Sequence, residues 1–394
     1  MKKIFGLLLS LSLSLSLLIP IHAAAQTAEG PLWYGVPYLQ NVSADGVTVI
    51  FQTPGRQVHS WVEIGKDSVH TQTFRQLADG QEVVHDANHR VRVEGLQPGA
   101  TYYYRVCATE ILENRAYSKK FGITQRTPFY SFKLPSDTTE SFTALVLNDL
   151  HGVGSVIDAM ASVADTIPHD FVVFNGDCLS EPQDFGHAIA QLHRLTRAFH
   201  ASSVPAVFLR GNHEIRNSWS SGMLSLFDWP GAHTYHSFSW GDTRFVMLDC
   251  GEDKPDSTWV YYGLNDFSAF RKDQADFLKK ELSGKAYRKA RRHLLIHHIP
   301  LWFDREGDAG ATSAPCRELW LPLLKKSGFD LSINGHVHEY RYIPNMEAGN
   351  PYPVLTGGGP SLDSATMTVV RKRGKRLHIS VMNAEGKVIE EINL

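Results

Sequence analysis

Phe142-Thr-Ala-Leu-Val-Leu-Asn-Asp-Leu-His151 is a short apolar run that stops abruptly at Asn, Asp and His. Its length and composition predict a buried strand with polar groups at its carboxyl end. The same pattern recurs four times. Phe171-Val-Val-Phe174 runs into Asn175-Gly-Asp177, and Val207-Phe-Leu209 into Arg210-Gly-Asn-His-Glu214. Leu294-Leu-Ile296 runs into His297-His298-Ile-Pro300, and Leu331-Ser-Ile333 into Asn334-Gly-His-Val-His338. Thr243–Leu248 is a further apolar run. Helical patterns lie between the strands, at 153–164, 185–200, 272–282 and 317–326. Strands alternating with helices predict a layered α/β fold. Residues 366–394 are strand-like again and complete a sheet. In open α/β sheets, sites form outside the carboxyl ends of the strands. Five separate stretches therefore deliver carboxylates, an amide and imidazoles to one edge.

Upstream, residues 30–133 follow a different period. Gly46–Thr53, Trp61–Ile64, His89–Glu94 and Thr101–Val106 alternate apolar and polar residues, with turns at Asp45-Gly46, Pro54-Gly55, Asp79-Gly80 and Pro98-Gly99. Short strands at this spacing predict an all-β sandwich. Gly95-Leu-Gln-Pro-Gly-Ala-Thr-Tyr-Tyr-Tyr-Arg-Val106 resembles the late strands of a fibronectin type III domain, which places Leu96 and part of the tyrosine run in the core. Pro135-Ser-Asp-Thr138 has linker composition. The expected organisation is a signal peptide at 1–25, a fibronectin type III-like domain at 30–135 and the α/β domain at 140–394.

The first segment has the layout of a secretory signal. Lys2 and Lys3 precede a Leu/Ser-rich apolar stretch that breaks at Pro20, and Ala23-Ala-Ala25 offers small residues for cleavage. An uncleaved anchor is the alternative. No transmembrane segment is expected in the mature chain, and the expected location is periplasmic or secreted. Lys and Arg number 39 against 41 Asp and Glu, a net charge of −2. This balance disfavours broad nucleic-acid or anionic-membrane binding. Four cysteines exclude a disulfide-built scaffold. Cys107 reads as a small core residue, and Cys178 and Cys250, each after a strand-end Asp, are candidates to lie near one another.

The ordered set Asp149-x-His151, Gly176-Asp177, Gly211-Asn-His-Glu214, His297-His298-x-Pro300 and Gly335-His-x-His338 resembles the calcineurin-like metallophosphoesterase family. Pro37-Tyr-Leu-Gln-Asn41, the tyrosine run, residues 235–249 and Gly335-His-Val-His-Glu-Tyr340 are similar to the purple acid phosphatase branch. The resemblance implies a β-sandwich flanked by helices and two metal ions, divalent or trivalent (Fe, Mn or Zn). It implies that Asp149, His151 and His338 bind the first ion, that Asp177 bridges, and that Asn212, His298 and His336 bind the second. The His-x-Pro pattern favours His298 over His297. His213 is implied as the catalytic neighbour, stabilising the transition state or protonating the leaving oxygen, with Glu214 a candidate to orient it.

Carboxylate, amide oxygen and imidazole suit such ions. A pair roughly 3.5–4 Å apart can share a hydroxide and clamp phosphate oxygens. The implied function is an exported phosphoesterase acting on a small-molecule phosphate ester, with phosphomonoesterase favoured. A phosphodiesterase or nucleotidase of the same fold, or a non-catalytic surface binding protein, is the alternative, and no nucleic-acid partner is expected. Two positions depart from the purple acid phosphatase pattern. His151 stands where that branch has Gly, and Ser180 stands where it has an iron-binding Tyr, so a colourless protein is expected. Trp302, Arg305, Tyr261 and His236 are candidate substrate contacts. Gly357-Gly-Gly-Pro360 lacks the Lys-Ser/Thr of a nucleotide P-loop and reads as a turn shaped by backbone geometry.

Overall fold

The computed structural model describes residues 30–303 and 314–394. The segment 1–25 and Arg305 lie outside the described residues. Two six-stranded sheets form the centre of the α/β part. The first runs in the order Ala206–Leu209, Phe171–Asn175, Ser141–Leu147, Thr366–Arg373, Arg376–Asn383, Val388–Asn393. The second runs His236–Trp240, Thr243–Leu248, Arg292–His297, Leu331–Asn334, Val354–Thr356, Arg341–Ile343. Phe142, Ala144 and Val146 point between the sheets, against Phe245, Met247 and Ile296. Leu145 and Leu147, on the opposite face, pack under the helices Gly154–Ala164 and Phe185–Ala198. Both faces are therefore buried, which is why these strands read as continuous apolar runs rather than alternating ones. On the other flank, Phe267–Ser283 and Ala314–Leu324 lie over the second sheet, with Leu278, Trp320 and Leu324 in its core.

Strand ends are aligned by parallel register. Ala144 pairs with Phe171 and Leu147 with Phe174, while Asn175 pairs with Leu209. In the second sheet Ile296 pairs with Ile333 and Asn334 with Thr356. The polar tails after Leu147, Asn175, Leu209, His297 and Asn334 thus leave on the same side. The three C-terminal strands complete the first sheet by antiparallel pairing.

The helix expected from Lys272 begins earlier, at Phe267. The side chain of Asp266 accepts from the Ala269 amide, and the Asp256 carboxylate accepts from the amides of Phe267 and Ser268. These caps supply acceptors that periodicity does not reveal. The helix expected over 317–326 is shifted toward the N-terminus, at Ala314–Leu324. The strand His236–Trp240 alternates buried His236, Phe238 and Trp240 with half-buried serines, while Arg341–Ile343 and Val354–Thr356 are too short to show a period and form because neighbours pair with them.

The N-terminal part is a pair of antiparallel sheets, three-stranded and five-stranded. Leu96, Tyr102 and Tyr104 are buried in its core while Tyr103 is exposed, as alternation along one strand requires. This sandwich docks on the α/β part through a buried polar chain. The Tyr38 hydroxyl donates to Leu226 O at 2.6 Å, and Gln52 joins Tyr38 to His193 at 2.9 and 2.7 Å. No helix among the described residues is long and apolar enough to cross a membrane.

Cys107 is buried, as expected. The Cys178 thiol contacts Leu147 O and Gly176 O, whereas Cys250 neighbours Cys316, whose sulfur lies 3.8 Å from Cys250 O. The two thiols after strand-end aspartates therefore face different partners, because they leave different sheets.

Candidate metal centre

Backbone geometry at the strand ends is unusual. Asp149, His151, Asp177, His336 and His338 all have φ between 47° and 75°. Non-glycine residues seldom adopt this left-handed region, and such strain concentrates at functional sites. It turns each side chain back over the strand ends. Gly211 is required by close approach: a Cβ there would collide with the Asp177 carboxylate and the His298 ring. Gly359 is pressed on His338 in the same way, so the glycine turn at 357–359 is shaped by the centre it backs onto.

Six side chains form two triads. Asp149, His151 and His338 converge as one, and Asp177, His298 and His336 as the other. His151 Nε2 lies 3.1 Å from His338 Nε2 and 3.8 Å from both Asp149 Oδ1 and Asp177 Oδ2. His338 Nε2 is 3.3 Å from Asp149 Oδ1. His298 Nε2 is 3.0 Å from Asp177 Oδ2 and 3.8 Å from Asp149 Oδ1. Asn212 Oδ1 joins through His336 Nδ1 at 2.8 Å. All seven expected metal-site residues are thus brought together. The aspartates and His298 form a buried floor, while His338, 44% exposed at its side chain, forms the open rim.

His297 and His298 separate cleanly. His298 Nδ1 donates to Asn175 O at 2.8 Å, which leaves Nε2 facing both aspartates. His297 turns away into a buried network with Ser332, Asn334 and Ile299 O. Asn148 holds the first aspartate, its Nδ2 donating to Asp149 Oδ2 at 2.6 Å and to Gly358 O at 2.9 Å. Backbone amides complete the frame, from His336 to Asp149 Oδ2 and from His213 to Asp177 Oδ1.

Glu214 does not orient His213. It is 4% exposed, and its carboxylate accepts three backbone amides: Asp177 and Gly211 on Oε2, Leu179 on Oε1. It therefore staples two strand-end loops together. Nothing in the Gly-Asn-His-Glu spacing signals that burial. Burial and the neighbouring Asp177 push its carboxyl up to about 7. His213 belongs to a third group with His151 and Asp177. Arg216 Nη1 lies 3.3 Å from His213 Nε2. Because guanidinium only donates, Nε2 accepts and the ring proton sits on Nδ1. Burial, with His151 and Arg216 nearby, lowers the His213 pKa.

Among the proposed substrate contacts, Trp302 is a core residue packed edge-on against Tyr352. His236 is buried beside Thr234 O and Phe238. Tyr261 stands near the centre, donating to Glu252 at 3.0 Å.

The donor set fits metal ions. Asp149 Oδ1 and His298 Nε2 are buried without a hydrogen-bond partner. Burial opposes charge on His298, yet Asp177 and Asp149 outweigh it and hold the imidazole up to about 10. The His298 field in turn keeps Asp177 below its ordinary value despite burial. In the bare chain a proton supplies the positive charge these carboxylates demand, and a cation would supply it better.

Residues 142–340 match the family described as calcineurin-like phosphoesterase, and residues 37–127 match the purple acid phosphatase N-terminal domain. Purple acid phosphatase 15 of Arabidopsis thaliana is 26% identical over 328 residues, covering 73% of this chain and 56% of its own. Purple acid phosphatase 23 of the same plant is 23% identical, covering 73% of this chain and 65% of its own. The chain thus spans between about half and two thirds of these relatives. The structure of purple acid phosphatase PPD1 from yellow lupin (Lupinus luteus) seeds superimposes with a TM-score of 0.67 at 18% identity, covering 91% of this chain and 73% of that one. PhoD superimposes with a TM-score of 0.60 at 14% identity, covering 91% and 88%.

Proposed function

The chain belongs to the calcineurin-like phosphoesterase family, and from that premise we propose that it hydrolyses phosphate esters, monoesters above all, after export to the periplasm or beyond. The observation that carries this reading is the pair of triads facing one another across two buried carboxylates with inward-facing atoms left unbonded. Asp149, His151 and His338 would hold one ion, and Asn212, His298 and His336 the other, with Asp177 between them. When bound, two such ions supply Lewis acidity that activates water and neutralises phosphoryl oxygens.

The chain's own residues do the rest. His298 is fixed in one tautomer by Asn175 O, so its Nε2 remains a donor atom toward the centre. The His213 ring proton sits on Nδ1, which lies 3.4 Å from Glu181 Oε1 and is buried without a hydrogen bond of its own, so it can donate to the oxygen on which charge builds as the ester bond breaks. Glu214 holds the Asp177 and Gly211 backbones together so that Asp177 and His213 keep their spacing. The exposed His338 rim is where a phosphate can enter.

The test is elemental analysis together with turnover of a chromogenic phosphate monoester and diester by protein loaded with Mn or Zn. The expected result is about two ions per chain and faster monoester hydrolysis. His213→Ala should keep both ions and lose about 100-fold or more in kcat. No turnover of any phosphoester by fully loaded protein would refute the hydrolytic reading and favour a binding protein. Loss of metal in His213→Ala would make that residue a ligand.

A further inference from the structure

The strand Thr243–Leu248 pairs in parallel with Arg292–His297, Leu248 beside His297, so its end leaves on the same side as the strand ends that build the centre. It supplies none of the seven metal-site residues. Asp249-Cys-Gly-Glu-Asp253 follows it, and this loop is fixed from behind. The Asp249 amide donates to Gln274 at 2.8 Å, and Gln274 Nε2 donates to Asp249 O at 2.6 Å. Arg271 donates to Cys250 O at 3.0 Å and to Glu252 O at 2.7 Å. Gln274 and Arg271 are both buried on the helix Phe267–Ser283.

From this base the loop reaches His213 through one side chain. The buried Glu252 carboxylate takes Arg216 at two points, Nε at 3.0 Å and Nη2 at 3.1 Å, and accepts the Tyr261 hydroxyl at 3.0 Å. A two-point fork fixes the plane of a guanidinium. Asp253 Oδ1, 3.7 Å from Arg216, adds negative charge on the same edge. The remaining nitrogen, Nη1, is turned to His213 and lies 3.3 Å from its Nε2. On the other side of the ring, Glu181 Oε1 stands 3.4 Å from Nδ1 without a hydrogen bond, on a half-exposed side chain. In a neutral imidazole the hydrogen bond made at one nitrogen decides whether the other carries the proton. Burying a carboxylate to pair with arginine contributes little to stability, so the aim of this pair at His213 points to a role in the site.

We propose that Glu252 and Arg216 are positioning residues for His213. The loop after Thr243–Leu248 fixes the guanidinium, the guanidinium occupies Nε2, and the ring keeps its proton on Nδ1 for the leaving oxygen. The assignment deepens the hydrolytic reading above and rests on it.

The experiment uses the full chain loaded with Zn and labelled with nitrogen-15 at histidine, the His213 signals being those absent from His213→Ala. The wild type should show Nδ1 protonated and Nε2 bare. Arg216 is half-buried, so Arg216→Met leaves the core intact; it removes the donor and should move the ring proton toward Nε2. Glu252→Gln keeps the shape, releases the fork and should act the same way by less. The double variant strands no buried carboxylate and should match Arg216→Met. Kinetics read the consequence. On phenyl phosphate, whose leaving oxygen needs a proton, Arg216→Met should lower kcat by about tenfold or more, part of what a general acid provides. On para-nitrophenyl phosphate, whose leaving oxygen needs none, the loss should be several times smaller, with KM and metal content unchanged. A merely structural role would lower both esters alike and would refute the proposal. Unmoved His213 signals in Arg216→Met, or signals that follow Glu181→Gln instead, would overturn it. So would a raised KM with kcat kept, which would make Arg216 a phosphate contact. If the loaded wild type turns over no ester, the hydrolytic reading falls and the role toward the leaving oxygen with it, while the nitrogen signals still decide whether Arg216 holds the ring.

Discussion

Replacing Glu214 with alanine should destabilise the metal-free protein by about 4 kcal/mol. The carboxylate accepts the amides of Asp177 at 2.8 Å, Leu179 at 2.8 Å and Gly211 at 2.7 Å. Each buried donor left without a partner costs about 1–3 kcal/mol, so three give roughly 3–9. Relief offsets part of this. The Glu214 carboxyl is pushed up to about 7 by burial and by Asp177, so removing it eases a like-charge contact. A net loss near the lower end of that range follows. Glu214→Gln is the informative control. Its amide oxygen can take the Oε2 place and keep the Asp177 and Gly211 amides, while its NH2 then faces the Leu179 N–H. One lost bond and a donor-to-donor contact predict about 1–3 kcal/mol. Urea unfolding of the metal-free chain, with m unchanged, reads both values. The expected order is wild type, then Gln, then Ala. An alanine variant within about 1 kcal/mol of wild type would refute the staple. So would a glutamine variant as unstable as the alanine one, since that would make the charge rather than the amide contacts the cause.

Asp177→Asn removes a charge shared between the triads; it should lower metal content measured by elemental analysis and reduce kcat by about 100-fold or more, whereas full metal with full turnover would refute the bridging role. Acidification should weaken the metal-free protein. Burial lowers His89, His193, His236 and His297 to about 4, so between pH 6.5 and 4 the unfolded chain binds protons that the folded chain refuses. Each then loses about 2 kcal/mol of stability between pH 7 and 5. Glu214, raised to about 7, takes up a proton in the folded state, and His298, raised to about 10, already holds one there that its unfolded counterpart lacks at pH 7, so they oppose with about 2 and 1 kcal/mol. The unfolding free energy should therefore fall by roughly 5 kcal/mol between pH 7 and 5, and equal stability at the two pH values would contradict the burial argument. Because Ser180 occupies the tyrosine position and its amide is taken by Gln191, the metal-replete protein should show no tyrosinate-to-iron absorption, and a strong visible band would overturn that expectation.

Much of the centre was legible because its signals are local. A short apolar run followed by Asp, Asn or His marks a buried strand and its functional end, whatever the strand pairs with. That sufficed for the layered α/β architecture and for placing carboxylates, an amide and imidazoles at one edge, while the choice of seven metal-site candidates among them came from the resemblance to the calcineurin-like metallophosphoesterase family. Glu214 was not legible, because a carboxylate beside His213 looks the same in sequence whether it faces water or three buried amides. The roles expected of Trp302 and His236 failed for the converse reason: an aromatic or imidazole near a motif gives no sign that it is sealed in a core. Arg216 carries no motif at all.

The sequence by itself determined which chemical groups stand at which strand ends, since alternation, run length and turn residues act over a few positions. Tertiary structure alone decided that these ends meet. Parallel register sets Leu147 beside Phe174 and Asn175 beside Leu209, and left-handed backbone at five of the seven candidates turns their side chains inward. That geometry is held by contacts between residues dozens to hundreds of positions apart, such as the amide of His336 on Asp149 and that of His213 on Asp177, and no local pattern encodes them.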